Sequence, residues 1–414
     1  MSLVQEQNAE KLCIVLVGLP ARGKSTLALR LRDGLEGEGL KVRIFNNGEL
    51  RRAHCGEASS EPWFYDPNNA EGYRIRNLLS LQNMRSACDF LATGGHVAIL
   101  DATNASQERR VMLERELEGM FILYIECVID DPDLVDACIQ RKAKLPEFAR
   151  MSREDATKRF KQRIGYYESI YTPLAGEANF VQLDTLWNRI LTEHVTSNTP
   201  YYVRIRDIMV SDWVNNLYLA RHGESFFNTE DRIGGDSPLT VRGHAQATAL
   251  ARHFQDTPIP YIFTSSKLRS KQTAIPILKD HPESIVMALP ELDEIDGGVC
   301  DGLTYAEIRG RYPEEYEARA RDKYYYAYPE GEGYASMRER VNRGFRKALF
   351  LSGAAPGTLL IGHQAINRMI LAFFLYRRKE DVPYIYVPQN KLYHIVATHH
   401  KKLFEFVPFM KGKA

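Results

Sequence analysis

The 414-residue chain has no apolar run approaching the ~18 residues that a membrane-crossing helix needs, so no helical span is expected. It has almost no excess of either charge. Lys and Arg total 54 and Asp and Glu 53, a formal net charge of +1. Without a global field there is no long-range attraction for nucleic acid or an anionic membrane surface, so any phosphate binding must be local. The six cysteines (Cys13, Cys55, Cys88, Cys127, Cys138 and Cys300) are scattered, without the close pairs of a zinc site, and read as reduced thiols of a cytosolic protein. Met1–Lys11 is polar and has no apolar stretch of a secretory signal, so a cytoplasmic location is expected. Internal repeats, low-complexity segments and Gly/Ser- or Pro-rich linkers are also missing.

Apolar residues make up 44% of the chain, enough for sizeable cores, and the length exceeds what one core supports. Short apolar runs alternate with longer helical patterns. In the first half the runs are Lys11–Val17, Lys41–Phe45, His96–Leu100, Phe121–Cys127 and Asn179–Leu183. Helical periodicity marks Ser25–Leu35, Ala70–Ala92, Ser106–Glu116, Pro132–Arg141 and Arg153–Tyr171. The rhythm restarts at Leu217–Ala220 and continues through Tyr261–Thr264, Ser284–Ala288 and Thr358–Gly362, ending in a hairpin, Lys391–Thr398 with Lys402–Val407. Helical patterns there are Val241–Phe254, Leu268–Leu278, Tyr334–Leu351 and Ala365–Tyr376. This order predicts an α/β protein of two domains, each a mostly parallel sheet flanked by helices. The expected division is a tail at 1–10 and domains at 11–212 and 213–414. Tyr201–Ile205 reads as a further strand near the junction.

Two motifs carry chemistry. Gly18-Leu19-Pro20-Ala21-Arg22-Gly23-Lys24-Ser25 fits the P-loop pattern, between a strand and a helix. Backbone N–H groups and a helix N-terminus would surround phosphates, Lys24 would add a point charge and Ser25 a hydroxyl for Mg²⁺. Asp101, in Asp101-Ala102-Thr103-Asn104 after an apolar run, reads either as an acid serving metal or proton transfer or as a helix N-cap. Arg51, Arg52, Arg76, Arg109, Arg110, Lys142 and Arg163 are candidate phosphate cations, or solvated surface charges.

The second motif is Arg221-His222-Gly223-Glu224. A histidine that attacks phosphorus must be neutral, oriented and surrounded by cations. Asn228 and the loop Arg232-Ile233-Gly234-Gly235-Asp236 follow, and Arg269 and His363 each stand just after a predicted strand, where α/β sheets gather ligand sites. Glu294 is a candidate proton donor, although Glu291, Asp293 and Asp296 crowd it and an ordinary acidic loop is the alternative. The tract Tyr324-Tyr325-Tyr326-Ala327-Tyr328 could stack on a sugar or pack between helices.

These motifs, in this order, resemble the 6-phosphofructo-2-kinase/fructose-2,6-bisphosphatase family from about Lys11 to about Lys391. The quoted landmarks are 18–25, 101–104, Arg-His-Gly-Glu-Ser at 221–225, Arg-Ile-Gly-Gly-Asp-Ser at 232–237, Glu-Ile-Asp-Gly-Gly-Val-Cys at 294–300 and Gly-His-Gln-Ala at 362–365. The resemblance implies a P-loop kinase domain followed by a domain of the histidine-phosphatase, phosphoglycerate-mutase-like fold. The first would move the ATP γ-phosphoryl to the 2-hydroxyl of fructose 6-phosphate. Gly18, Leu19, Pro20, Ala21, Arg22, Gly23, Lys24, Ser25 and Thr26 would hold ATP, Ser25 and Asp101 would hold Mg²⁺, and Lys24 and Asp101 would be catalytic. Arg52, Arg76, Thr103, Arg109, Lys142, Arg163 and Tyr167 match positions that hold the sugar phosphate. The second domain would remove the 2-phosphoryl from fructose 2,6-bisphosphate through His222, with Glu294 and His363 completing the catalytic set. Arg221, Asn228, Gly234 and Arg269 would face that phosphoryl, and Tyr305, Arg319, Lys323, Tyr334, Gln364 and Arg368 the rest of the sugar. Family members often form dimers, so a homodimer is among the implied partners; nucleic acid and membrane are not.

The chain departs from the family pattern at Ile129, often a cysteine, and at Tyr325, Ala327 and Glu330, often basic. Fewer cations there imply a weaker hold on the 6-phosphate or a changed regulation, and favour a kinase-dominant version if only one half works. With tails this short, little regulatory phosphorylation of the kind family members carry there is expected. Three other readings compete: one working half only, a C-terminal half acting as a phosphoglycerate mutase, and a silent nucleotide-binding scaffold.

Overall fold

A computed structural model describes residues 11–375 and 378–410. The expected tail at 1–10 and the end of the pattern at Tyr376 lie outside them. Contacts divide the chain into two compact units, Met1–Asp212 and Trp213–Ala414.

The first unit runs β1 (Leu12–Val17), α1 (Lys24–Glu36), β2 (Val42–Asn46), α2 (Asn47–Cys55), α3 (Ala70–Ala92), β3 (Val97–Asp101), α4 (Gln107–Glu116), β4 (Phe121–Val128), α5 (Pro132–Lys142), α6 (Arg153–Glu168), β5 (Phe180–Asp184), β6 (Arg189–His194) and α7 (Tyr202–Val210). Its sheet has the order β2-β3-β1-β4-β5-β6, parallel except for β6. The continuous apolar run of β1 follows from this position, because helices cover both faces. Leu12, Ile14 and Leu16 enter one core with Leu27, Leu31 and Leu35 of α1. Cys13, Val15 and Val17 enter the other with Met84, Ala87 and Leu91 of α3.

Tyr201–Ile205 is not a strand. Tyr202–Val210 forms helix α7, and Ile205, Ile208 and Met209 are buried in the core that contains the α1 leucines. That i, i+3, i+4 spacing is helical, and packing outweighed the strand preference of Tyr, Val and Ile. Arg30 of α1 fastens the helix end by donating to the Ile208 carbonyl at 3.0 Å.

The second unit runs β7 (Val214–Arg221), α8 (Phe226–Thr229), α9 (Val241–Phe254), β8 (Tyr261–Thr264), α10 (Leu268–Ala274), β9 (Ile285–Ala288), α11 (Tyr305–Arg311), α12 (Pro313–Arg321), α13 (Tyr334–Ser352), β10 (Thr358–Gly362), α14 (Gln364–Leu375), β11 (Lys391–Ala397) and β12 (Lys402–Pro408). The sheet order is β12-β11-β7-β10-β8-β9, with β7, β10, β8 and β9 parallel and the β11–β12 hairpin antiparallel. The helix expected over Leu268–Leu278 ends at Ala274 and tightens into a 3₁₀ turn, Ile275–Lys279, because Pro276 cannot donate to an α-helical ladder.

In each unit the chemistry-bearing motifs sit at the C-terminal ends of parallel strands. The P-loop follows β1 and Asp101 ends β3. His222 follows β7 and His363 follows β10.

Candidate active sites

The first unit encloses a cavity of about 710 Å³ lined by P-loop residues and by Asp101, Thr103 and Tyr167. Gly18 has φ +135°, and a Cβ there would stand 2.5 Å from the Cys127 carbonyl oxygen, so the loop can approach β4 only with glycine. Gly23, at φ +82°, opens α1. Lys24 is buried and donates through Nζ to the carbonyls of Gly18 and Leu19, both at 2.7 Å. Burial pushes its ammonium down to about 8, against the opposing pull of Cys127 and Asp101. Pro20 through Thr26 line the cavity, whereas Gly18 and Leu19 act through those carbonyls. Asp101 is buried and accepts from Asn46 Nδ2 at 2.5 Å, and Ser106, not Asp101, caps α4.

Cations and tyrosines make up much of the lining. Arg22, Lys24, Arg51, Arg52, Arg76, Arg109, Arg141, Lys142 and Arg163 line the cavity against four carboxylates, Glu49, Asp101, Glu108 and Glu147. Glu147, itself buried, pairs with Arg51 at 2.7 Å and Arg163 at 3.4 Å. Arg163 also stacks over Tyr65 at 4.2 Å. Arg163 Nε and Arg109 Nη1 are buried without a partner among the described residues, as expected of groups that meet an anionic ligand. Burial raises the Tyr167 phenol, but Arg163, Arg76 and Arg51 outweigh it and hold it below the usual range. Arg110 is the candidate that does not join. Its guanidinium is buried against Glu177 at 2.5 Å and the Asn104 and Ala105 carbonyls, where it braces the turn after β3.

The second unit encloses a cavity of about 460 Å³ that contains Arg221, His222, Asn228, Gly234, Arg269 and Glu294. His222 is buried, and its Nδ1 lies 2.7 Å from the Gly223 carbonyl. A carbonyl only accepts, so Nδ1 carries the proton and Nε2 keeps its lone pair. Arg269 Nε donates to that Nε2 at 3.3 Å. Burial, with Arg269 and Arg221 nearby, holds the His222 ring well below the ordinary imidazole value, so it stays neutral. Burial also pushes Arg221 down to about 10, and its Nε has no described partner.

His363 is buried and packs against His222 with ring centroids 5.0 Å apart, and is not among the cavity's lining residues. Ser265 Oγ, already accepting the Lys267 N–H at 3.2 Å, lies 2.7 Å from His363 Nε2. The hydroxyl can serve that contact as donor or acceptor, and the buried Nδ1 of the ring has no partner among the described residues. Glu294 is held by backbone N–H groups at the start of α14, Oε2 by Gln364 at 3.1 Å and Oε1 by Ala365 at 3.3 Å. Across the cavity, Arg319 donates to the Tyr305 hydroxyl at 3.0 Å, Arg368 to the Tyr334 hydroxyl at 3.1 Å, and Lys323 sits 5.0 Å over Tyr384. Burial, with Arg319 and Arg368, brings Lys323 down to about 8.

Both imidazoles fold below the unfolded value of about 6.5. As pH falls through that value the unfolded chain takes up protons that the folded one refuses, so stability should fall with acidification. Calorimetry between about pH 5 and 7.5 checks this. A melting temperature of the second unit that stays flat below about pH 6.5 would show both rings protonating in place.

Two family models match the chain: 6-phosphofructo-2-kinase over residues 1–205 and histidine phosphatase superfamily (branch 1) over residues 217–407. A 6-phosphofructo-2-kinase/fructose-2,6-bisphosphatase of Caenorhabditis elegans is 34% identical across 92% of this chain and 85% of its own length. The chain belongs to the 6-phosphofructo-2-kinase/fructose-2,6-bisphosphatase family. Form 3 of that enzyme from Rattus norvegicus is 35% identical over 91% of this chain and 68% of its own, and form 1 from Homo sapiens 34% over 91% and 79%.

Within this family fold, none of Tyr325, Ala327 and Glu330 lines the second cavity, so their missing charge leaves the grouping of Arg319, Lys323 and Arg368 intact. The tyrosine tract divides: Tyr326 and Tyr328 line the cavity, Tyr324 is buried and Tyr325 is exposed. Residues that the sequence did not single out also line the sites, among them Tyr65, Asn46 and Glu147 in the first and Gln389 in the second. Nothing in their local sequence marks them. Glu147 meets Arg51 across 96 residues.

Proposed function

We propose that the chain works as a bifunctional enzyme, making fructose 2,6-bisphosphate from fructose 6-phosphate and ATP in its first unit and hydrolysing it in its second. The observation that carries this reading is that each unit gathers its own cation-lined cavity around a different phosphate device, a P-loop lysine in one and a neutral histidine in the other.

In the first cavity Lys24 and the P-loop backbone hold the ATP phosphates, and Arg52, Arg76, Arg109, Lys142, Arg163, Thr103 and Tyr167 hold the sugar phosphate. The Asp101 carboxylate takes the proton of the sugar 2-hydroxyl as that oxygen attacks the γ-phosphorus and ADP leaves. The Ser25 hydroxyl and the Asp101 carboxylate are hard oxygen donors suited to Mg²⁺ alongside substrate phosphates, and such an ion would neutralise charge on the transferring group.

In the second cavity His222 Nε2 attacks the 2-phosphorus, and Glu294 gives its proton to the departing sugar oxygen. Water then attacks the phosphohistidine, its proton passes to Glu294, and inorganic phosphate leaves. Arg221, Arg269, Asn228 and His363 receive the phosphoryl oxygens, while Arg319, Lys323, Arg368, Tyr305 and Tyr334 hold the remaining sugar phosphate. Arg269→Ala should lower hydrolysis by about 10²–10³-fold, the usual cost of losing one oriented donor. A loss of only a few-fold in steady-state assays would place Arg269 outside the reaction.

The test is incubation with γ-labelled MgATP and fructose 6-phosphate, followed by acid. An acid-labile labelled sugar is the expected product, as an anomeric phosphate gives. Absence of any labelled sugar, with ATP binding intact, would overturn the kinase assignment.

A further inference from the structure

The segment Pro383–Gln389 runs along the second cavity, and every second residue of it touches one of the cavity's groups. The Pro383 carbonyl accepts from Lys323 at 3.4 Å, that of Ile385 from Arg368 Nε at 2.8 Å and that of Val387 from Arg221 at 3.4 Å. Gln389 comes next, and it reaches Asn228 with its side chain, at 2.9 Å.

This last contact has a forced chemistry. Asn228 Oδ1 lies 3.1 Å from the backbone nitrogen of Ser225, which can only donate, so the atom there is the amide oxygen. The Gln389 atom facing the same oxygen must then be its nitrogen, Nε2. Two donors occupy both lone pairs of Oδ1. Turning the Asn228 amide over would set its own N–H groups against two other donors. Its Nδ2 hydrogens are what remains for the cavity, which Asn228 and Gln389 both line.

Resting on the phosphatase reading above, we propose that Gln389 is a positioning residue that locks the Asn228 amide so that Nδ2 donates to the phosphoryl group on its way to His222. Gln389 touches Asn228 rather than the reacting atoms, and its effect is transmitted through that one side chain. The donor is then oriented before substrate arrives, and no reorganisation is needed during transfer.

A double-mutant cycle on the full chain, read as fructose 2,6-bisphosphate hydrolysis, tests this. Gln389→Met keeps the length of the side chain and removes the donor, and should lower kcat on the order of tenfold, as polar groups in direct contact couple. In an Asn228→Ala background the same change should do nothing further. Gln389→Glu, which nearly preserves shape while placing an acceptor opposite Oδ1, should show the same dependence on Asn228 with a larger loss, and replaces the methionine variant if that one fails to fold. Equal losses in both backgrounds would overturn the assignment, since a packing role would not depend on Asn228. A wild-type chain without hydrolysis would overturn the phosphatase reading instead, which separates the two failures.

Discussion

Replacing His222 with alanine should abolish hydrolysis of fructose 2,6-bisphosphate, with a loss of about 10⁴-fold or more, the scale seen when a covalent nucleophile is removed. The expectation rests on one lone pair. Nε2 of His222 is the ring atom left unprotonated by the Gly223 contact, and Arg269 already faces it. His363 is no substitute, because its Nε2 is engaged by Ser265. Kinase activity resides in the other unit and should persist, so the variant should accumulate product. Brief exposure to fructose 2,6-bisphosphate labelled at the 2-phosphate checks this directly: label should appear on the wild-type chain and not on the variant. Label that persists after the substitution would move the nucleophile elsewhere.

The mirror-image change, Lys24→Met, should lower sugar phosphorylation by at least ~10²–10³-fold and leave hydrolysis untouched. Methionine fills much of the same volume, so the loss would report charge. Lys24 is buried at the start of α1, and among the described residues its ammonium forms no ion pair; it donates hydrogen bonds to the carbonyls of Gly18 and Leu19. A desolvated cation with only neutral partners is available to a polyanion at small cost in broken contacts. Full phosphorylation by the variant, with initial rates measured at saturating ATP, would show the phosphate cradle to be wrongly placed.

The strand ends of both sheets were legible because the chemistry there is written in contiguous motifs. Gly18–Ser25 follows a short apolar run that reads as a strand buried on both faces, and Arg221–Gly223 and Gly362–His363 repeat that arrangement. What the sequence could not disclose was which distant groups meet. Arg51 and Arg110 look alike along the chain. One lines the first cavity, held by Glu147, and the other is turned away into Glu177. The choice depends on carboxylates 96 and 67 residues away. Strand β6 was missed because Arg189–His194 is a mostly exposed edge whose two apolar residues, Ile190 and Leu191, are adjacent and so show no apolar alternation. Helix α7 was misread because its aromatic and β-branched residues favour a strand, until Ile205, Ile208 and Met209 are seen to share a face. Gln389 was invisible for the same reason as Glu147: its meaning lies in Asn228, far along the chain.

The first cavity draws its walls from residues 20–170 and the second from residues 221–389, with no residue in common. The two reactions add up to nothing but ATP hydrolysis, with the sugar returned unchanged. A chain built this way is a thermostat rather than a converter. At steady state the amount of fructose 2,6-bisphosphate follows the ratio of two independently adjustable rates, so a change of setting needs a substitution or modification on only one side. The continuous turnover of ATP is what keeps that setting responsive in both directions.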